Sequence, residues 1–193
     1  IYLKRILSSA ESMRMLIDGL LEYSRISKND QSFGEVNLNF VLQQVKMDLE
    51  LIIDETGTVV KIETLPTIHA SVMQIKQLFT NILNNAIKFR KPGIAPEITI
   101  SLAAVTSHDK ELHQLNDSIT YHKIQITDNG IGLEDEYAMR IFEIFQRLHG
   151  KAEYPGSGIG LAICKKIVEH HNGAIYAKNI PGHGTCFSII LPA

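Results

Sequence analysis

Three side chains that carry amide or amine groups share one face of a predicted helix. Asn81, Asn85 and Lys88 are spaced i, i+4 and i+7, which places them on the same side of an α-helix. Magnesium prefers oxygen ligands and keeps several waters. We therefore interpret Asn85 as a metal ligand, Asn81 as a group that holds a metal-bound water or a phosphate, and Lys88 as a cation that neutralises phosphate charge. The alternative is a solvated polar helix face, which is common.

An aspartate followed by two glycines forms a second candidate group. Asp128 comes at the end of a predicted strand and precedes Gly130 and Gly132. An ionised carboxylate accepts hydrogen bonds but cannot donate them, so Asp128 suits the exocyclic amine of adenine and disfavours the carbonyl of guanine. The glycines allow a base or sugar to approach the backbone closely. The alternative is a tight hairpin turn, but the residues that follow do not alternate as a returning strand would.

A second glycine-rich stretch, with Gly156, Gly158 and Gly160 before Leu161, opens a predicted helix. Backbone amides at a helix N-terminus attract phosphate. The stretch lacks the Lys-Ser/Thr pair of a P-loop, and its spacing differs from the dinucleotide fingerprint. The irregular residues before it, 146–157, are expected to be mobile and to order over a nucleotide as a lid. The alternative is a flexible linker.

Two more candidates flank these motifs. Arg147 follows a predicted helix directly and could reach a terminal phosphate, with an ordinary surface arginine as the alternative. The third glycine patch, Gly182-His183-Gly184-Thr185, predicts a turn before the last strand, and Thr185 completes the candidate nucleotide-binding set. Taken together and in this order, the motifs predict a pocket for ATP and Mg²⁺.

Composition narrows the classes of protein to consider. The chain has 193 residues, 45% of them hydrophobic and 21% charged, which suits one soluble globular domain plus a smaller element. A net charge of -2 argues against a surface that binds nucleic acid. The sequence has no run of 18 apolar residues, so it predicts no membrane-spanning helix. Because the start lacks an initiator Met and a signal-peptide layout, we expect a longer protein. Cys164 and Cys186 are expected to be reduced core thiols in the cytoplasm.

The predicted elements alternate between helices and strands without an internal repeat. Residues 1–27 are predicted to form a helix with apolar residues at a and d positions, which needs partner helices to cover it. The alternative is a helix that packs on its own domain. Residues 28–36 are predicted to be a linker. Further helices are expected at 38–54, 72–89, 134–145 and 158–171, and strands at 58–63, 98–105, 121–127, 174–178 and 185–191, with a loop at 106–118. This order predicts an α/β (α+β) fold, a two-layer sandwich with a mixed sheet.

These motifs resemble the ATP-binding catalytic domain of sensor histidine kinases, in order and spacing, from about Asn37 to Pro192. The stretch from Ile141 to Gly173 resembles bacterial phytochrome-type kinases in particular. The resemblance implies a Bergerat fold, with Asn85 as magnesium ligand, Asp128 reading adenine, and Lys88 and Arg147 contacting phosphates. It also implies that residues 1–27 are the second helix of a dimerisation and phosphotransfer hairpin. Two such hairpins form a four-helix bundle.

The resemblance implies transfer of the γ-phosphoryl group of MgATP to a histidine, which then supplies an aspartate on a response regulator. The expected partners are the chain's own histidine-bearing helix, a second kinase subunit and a receiver domain, with no nucleic acid and no membrane contact in this stretch. None of the eight histidines has the sequence context of the phosphoacceptor, so we expect that this chain alone does not phosphorylate itself.

Two other functions remain open at this point. The first is an ATP hydrolase or clamp, similar to gyrase, MutL or the Hsp90 chaperone. Those proteins carry a glutamate four residues before the metal asparagine, where this chain has Asn81, and an amide is a poor general base. The second is a pseudokinase module that only holds nucleotide. The presence of every polar group expected for catalysis argues against it.

Overall fold

The computed structural model describes residues 2–26, 33–146 and 158–193. Its helices are α1 Tyr2–Ile26, α2 Leu38–Asp48, α3 Glu50–Thr56, α4 Val72–Lys88, α5 Ser107–Leu112 and α6 Gly160–His170. Its strands are β1 Gly34–Asn37, β2 Val59–Ile62, β3 Thr67–Ala70, β4 Glu97–Ala103, β5 Tyr121–Asp128, β6 Ala174–Ile180 and β7 Gly184–Pro192.

The main sheet has five strands in the order β2-β4-β5-β7-β6. β2 pairs parallel to β4, while the other pairings are antiparallel. A separate antiparallel pair joins β1 to β3. The mixed sheet and its layer of helices confirm the predicted two-layer α/β sandwich, because the apolar positions of the strands and of α4 form one buried core.

The helix α4 is positioned by its apolar face. Leu78, Ile82 and Ile87 are fully buried and lie on one face of the helix. Ser71 is the N-cap residue, although its side chain makes no capping hydrogen bond. Asn81, Asn85 and Lys88 of the same helix are only partly buried. Burial of one face therefore directs the other face, with Asn81, Asn85 and Lys88, away from the core.

The chain between residues 34 and 56 differs from the prediction in two places. The predicted linker 28–36 is wrong at its end, because residues 34–36 belong to β1 and pair with β3. The predicted helix 38–54 is interrupted at Leu49, whose φ of -101° and ψ of 6° are not helical. Asn37 caps α2, because its Oδ1 accepts hydrogen bonds from the amides of Asn39 and Phe40.

Two further predictions are corrected. The expected helix at 134–145 is wrong, because the chain forms two short 3₁₀ turns, Asp135–Tyr137 and Arg140–Phe142. The expected loop at 106–118 contains α5, which begins with a capping box between Thr106 and Asp109. The pattern T-x-x-D was visible in the sequence and could have identified this helix.

Helix α1 leaves its a/d positions in solvent. Leu3, Ile6, Met13, Ile17 and Leu20 are between 48% and 70% exposed. The opposite side contacts α6, where Gly19 lies so close to Ile159 that an added Cβ would stand 2.7 Å from its Cδ1. Within the described ranges, no helix is both long and apolar enough to cross a lipid bilayer.

Candidate functional site

Asp128 ends β5 with its carboxylate buried and held on one side. Its Oδ1 accepts the backbone N–H of Gly130 at 2.9 Å and that of Thr185 at 3.2 Å. Its Oδ2 has no protein donor among the residues that the structure describes. Burial raises the pKa of Asp128, although the two N–H donors and the nearby Lys91 charge oppose that rise. One carboxylate oxygen is therefore fixed in place while the other remains available to a ligand donor.

Two glycines fit closely around this carboxylate. A Cβ on Gly130 would stand 2.6 Å from the Phe89 carbonyl oxygen, and one on Gly184 would stand 2.3 Å from the Asp128 carbonyl oxygen. Gly184 also has a φ of 116°, which L side chains rarely adopt. The glycines of the first and third patches therefore have a structural role in holding Asp128. Gly132 lies against Asn179, on the far side of the same turn.

The end of α4 touches the Asp128 turn. The Ile131 amide donates to the Phe89 carbonyl at 3.0 Å, directly after the last residue of α4. The middle of α4 touches the start of α6, because Asn81 Nδ2 donates to the Gly160 carbonyl at 3.3 Å. Asn85 and Lys88 lie between these two contacts along α4. The fold therefore brings the asparagine-rich face, the Asp128 turn and the N-terminus of α6 to one region.

Asn81 already has protein partners in this region. Besides the Gly160 carbonyl, its side chain hydrogen-bonds the thiol of Cys164. Burial raises the pKa of that thiol to about 12, so Cys164 is an inert core residue. Both cysteines are free and buried, which confirms the prediction of reduced core thiols.

Asn85 and Lys88 are both half-buried. Within the described part of the chain, the Asn85 side chain makes no hydrogen bond, so its amide oxygen fits a role as a magnesium ligand. Lys88 Nζ lies 4.5 Å from the centroid of the Phe89 ring. This contact holds the ammonium group at the end of α4 that is nearest Asp128.

The glycine-rich stretch before α6 is partly described. Gly158 has a φ of 72°, and its carbonyl accepts the Phe145 amide at 3.0 Å. Gly160 begins α6, and Leu161 packs against the core. Arg147 and Gly156, and the predicted lid apart from Gln146, lie outside the described residues.

Phe142 and Phe145, which come shortly before the glycine-rich stretch, differ in their packing. Phe142 is buried and packs edge-on against Phe187 at 6.5 Å between ring centroids. Phe145 is 52% exposed and has a φ of 65°. Only Phe142 is therefore an anchor for the segment that precedes α6.

Sequence reasoning missed three residues that brace the Asp128 turn. Lys91 Nζ donates to the Gly182 carbonyl at 3.1 Å and joins the end of α4 to the β6–β7 turn. Asn179 Oδ1 accepts the Leu133 amide at 3.3 Å. Asn129 accepts the Glu97 amide and donates to the Ala95 carbonyl. Asn129 could have been found within the Asp-Asn-Gly motif, but nothing local distinguished Lys91 or Asn179.

An open cavity of about 690 Å³ lies elsewhere, between α5 and the loop that follows it. Thr106, Lys110, Glu111 and Asp117 are among its lining residues. No predicted nucleotide-binding residue lines it. The convergence of α4, the Asp128 turn and α6 therefore remains the candidate site.

Comparison with known proteins shows the family to which the chain belongs. A family described as histidine kinase-, DNA gyrase B-, and HSP90-like ATPase matches residues 70–193. Cyanobacterial phytochrome A of Nostoc sp. is 38% identical over 180 residues, which are 93% of this chain and 22% of that relative. The chain thus spans about a fifth of that relative's length.

Solved structures share the fold. Full-length ShkA in complex with AMPPNP has a TM-score of 0.73 at 23% identity, covering 99% of this chain and 38% of that one. The histidine kinase ThkA in complex with the response regulator protein TrrA has a TM-score of 0.69 at 22% identity, covering 99% of this chain and 50% of that one. With the family match, these findings establish that the chain belongs to the histidine kinase-, DNA gyrase B- and HSP90-like ATPase family and carries an ATP-binding domain of the sensor histidine kinase type.

Proposed function

We propose that this chain is the ATP-binding catalytic part of a two-component sensor histidine kinase. It binds MgATP and, in the complete protein, transfers the γ-phosphoryl group to a histidine for relay to an aspartate of a response regulator. Residues 37–193 form the catalytic domain in this proposal. Residues 1–27 form the second helix of the phosphotransfer hairpin, and residues 34–36 belong with the catalytic domain because β1 pairs with β3.

The observation that carries the proposal is the carboxylate of Asp128, of which the described residues of the protein hydrogen-bond only one oxygen. Two backbone N–H groups fix Oδ1, and Oδ2 is left as an acceptor for a ligand N–H group. The exocyclic amine of adenine supplies such a donor, whereas guanine presents a carbonyl at the equivalent position and would meet an acceptor with an acceptor. Asp128 therefore selects adenine, while Gly130, Gly132 and Thr185 line the base and sugar.

The phosphates lie along the polar face of α4 in this proposal. Asn81, Lys88 and Arg147 bind and orient them, and the amides of Gly156, Gly158, Gly160 and Leu161 add donors at the start of α6. Magnesium would be held by Asn85 and would neutralise phosphate charge. Phosphoryl transfer then needs positioning and charge neutralisation, since a neutral imidazole is already nucleophilic.

The exposed stripe of α1 supports the proposed partners. Five of its apolar a/d side chains are about half or more exposed, and burying such a stripe against neighbouring helices stabilises a bundle. We assign this face to the chain's own histidine-bearing helix and to a second subunit. The ThkA complex with the response regulator protein TrrA supports a receiver domain as the further partner. The free buried cysteines favour a cytoplasmic location.

Two titrations test the binding step. Calorimetry with ATP and with GTP, each with Mg²⁺, is expected to give a clear ATP isotherm and a weaker GTP isotherm. The same titration without Mg²⁺ tests the metal. Absence of heat beyond dilution at millimolar ATP would refute the proposal.

A transfer assay tests the chemistry. The chain is mixed with a separate histidine-bearing hairpin and γ-labelled ATP, and label is expected on the hairpin and not on the chain alone. ATP binding without any transfer would favour a nucleotide-holding module. Rapid ATP hydrolysis by the unmodified chain, matched by its Asn81→Glu variant, would favour the hydrolase class instead.

A further inference from the structure

The ring of His171 is buried at the end of α6 with both nitrogens bonded. Its exposed fraction is 3%. Nδ1 lies 2.8 Å from the Ile167 carbonyl oxygen, and the Ser71 amide lies 3.1 Å from Nε2. A carbonyl can only accept and an amide N–H can only donate. Nδ1 therefore carries the proton, Nε2 is the acceptor, and the ring is neutral.

The amide bonded to His171 belongs to the first turn of the site helix. Ser71 is the N-cap residue of α4, which carries Asn81, Asn85 and Lys88. At its other end, α6 is joined to α4 by the hydrogen bond between Asn81 and Gly160. Helix α6 is thus tied to α4 at both of its ends, and His171 makes the tie at the start of α4.

The surroundings of His171 disfavour a charged ring. Burial lowers the pKa of His171, the Ile167 carbonyl opposes this, and His170 lowers it further. The Phe33 ring packs against it at 4.8 Å between centroids, and the His170 ring at 5.8 Å. His69, on β3, lies on Phe33 as well, at 5.8 Å.

The acid–base groups around this ring are few. His170 is on the same helix, and its Nδ1 bonds Gln74 Oε1 on α4 at 3.0 Å. His69 is on β3 and faces Glu35 of β1 in the strand register. The same Gln74 side chain donates to the carbonyl of Ile26, the last residue of α1, at 3.4 Å. The described contacts supply no carboxylate to His171 itself, so a proton there gains no countercharge.

Protonation of Nε2 would turn this nitrogen from a hydrogen-bond acceptor into a donor. Nε2–H would then face the Ser71 N–H group, and two buried donors cannot bond each other. One of them must move, since an unsatisfied buried donor is costly. The contact between the end of α6 and the start of α4 would then have to open.

We propose that His171 is a positioning residue for α4: its neutral ring holds the first turn of the helix that carries the nucleotide groups, and protonation releases that turn and weakens nucleotide binding. The inference rests on the proposed function, because it concerns the occupancy of the same site. It assigns to His171 a sensitivity to acidic pH in addition to that of the site carboxylate Asp128, whose pKa is raised by burial.

The first test needs no nucleotide. The uniformly labelled chain is titrated by NMR from about pH 8 to about pH 4, a range that extends below ordinary histidine protonation because burial lowers the pKa of His171. The Ser71 amide resonance is expected to shift with the same midpoint as the His171 ring. A Ser71 resonance that stays unmoved while His171 becomes protonated would overturn the proposal.

The second test compares ATP affinity in three proteins across the same pH range. His171→Gln keeps a side-chain acceptor and donor but cannot titrate there. His108→Gln removes an exposed histidine on α5 and is the matched control. The unmodified chain and the control are expected to lose about tenfold more affinity on acidification than His171→Gln, in proportion to one lost buried hydrogen bond.

Protonation of ATP and of Asp128 affects all three proteins and cancels in the comparison. If His171→Gln keeps the full pH dependence of the unmodified chain, the proposal is refuted. If His171→Gln does not fold, the NMR titration of the unmodified chain still decides it. If no protein binds ATP at any pH, the proposed function fails, while the Ser71 and His171 titration still tests the tie.

Discussion

Two buried aspartates, one on a helix and one on a strand, differ in how their carboxylates are hydrogen-bonded. Asp109 on α5 is 6% exposed and Asp128 on β5 is 7% exposed. Asp109 is bonded on both oxygens by side chains, with Lys123 Nζ at 3.0 Å from each and Tyr176 Oη at 2.9 Å. Asp128 receives two backbone N–H groups on one oxygen and has no such cation bonded to it.

The pKa values of the two carboxyls move in opposite directions for this reason. Burial acts to raise the pKa of Asp109, but hydrogen bonds from Thr106, Lys123 and Tyr176 outweigh it and hold the pKa well below its usual value. Burial raises the pKa of Asp128 because its donors are fewer. The Asp109 carboxylate, hydrogen-bonded on both oxygens, joins α5 to the sheet. The Asp128 carboxylate, hydrogen-bonded on one oxygen, keeps the other for a ligand.

The largest effect is expected when the ion pair between Asp109 and Lys123 is broken. Asp109→Ala leaves Lys123 charged and buried without its carboxylate partner, and we expect a loss of about 3–5 kcal/mol in the free energy of unfolding. The double variant Asp109→Leu with Lys123→Met should recover most of it. Urea unfolding of the three proteins measures this. A single variant as stable as the parent would mean that α5 does not depend on the pair.

The next largest effect is expected when a side chain is added beside Asp128. Gly184→Ala places a Cβ against the Asp128 carbonyl at a φ that alanine disfavours, so we expect a loss of about 2–3 kcal/mol. Gly34→Ala is the matched control, since nothing lies within 4 Å of an added Cβ there. It should change stability by no more than about 0.5 kcal/mol. Equal losses in both variants would contradict the assigned role of Gly184.

Asp128→Asn separates binding from stability. The amide oxygen can still accept the two N–H groups, but the amide NH₂ replaces the second acceptor. ATP binding should weaken by about 1–3 kcal/mol, while unfolding should change little. Calorimetry and urea unfolding check the two quantities on the same sample, and unchanged ATP affinity would refute the adenine assignment.

The smallest effect is a difference in pH dependence. Asp109 has a lowered pKa in the folded protein, so its stabilisation is complete above the unfolded value of 3.8 and is lost as pH falls below it. Asp128 has a raised pKa, so its burial costs stability above that pKa, and the cost disappears as pH falls toward 3.8.

Unfolding free energies measured between about pH 3 and about pH 7 should therefore move in opposite directions in two comparisons. Relative to Asp109→Asn, the parent loses its advantage on acidification. Relative to Asp128→Asn, the parent gains. Each pKa unit corresponds to about 1.4 kcal/mol, and parallel curves in both comparisons would contradict the contrast between the two carboxyls.

The contrast also explains what the sequence could predict. Asp128 was found because its motif is local, and the helix α4 was found because its apolar residues recur with helical spacing. The Asp109 pair was missed because Lys123 is fourteen residues away and Tyr176 is on a different strand. Strand β3 has only four residues and is defined by its pairing with β1, which no local pattern reveals.

The wrong helix at 134–145 has a similar cause. Apolar residues at helical spacing predicted it, but Phe145 adopts a positive φ and its amide bonds Gly158. The break at Leu49 likewise follows from packing rather than from a glycine or proline. Tertiary contacts with distant segments overrode local helix propensity at these places. The site residues on α4 and at Asp128 were predictable because they lie on regular helices and strands.

The hydrogen bond from Asn81 to Gly160 has a consequence for how a ligand arrives. If the phosphate contact that we propose for Asn81 used this same N–H group, the net gain would be the difference between two hydrogen bonds and not the whole of one. Binding would then exchange one partner for another and release the start of α6. In that case the occupancy of the site and the position of this helix end would be coupled.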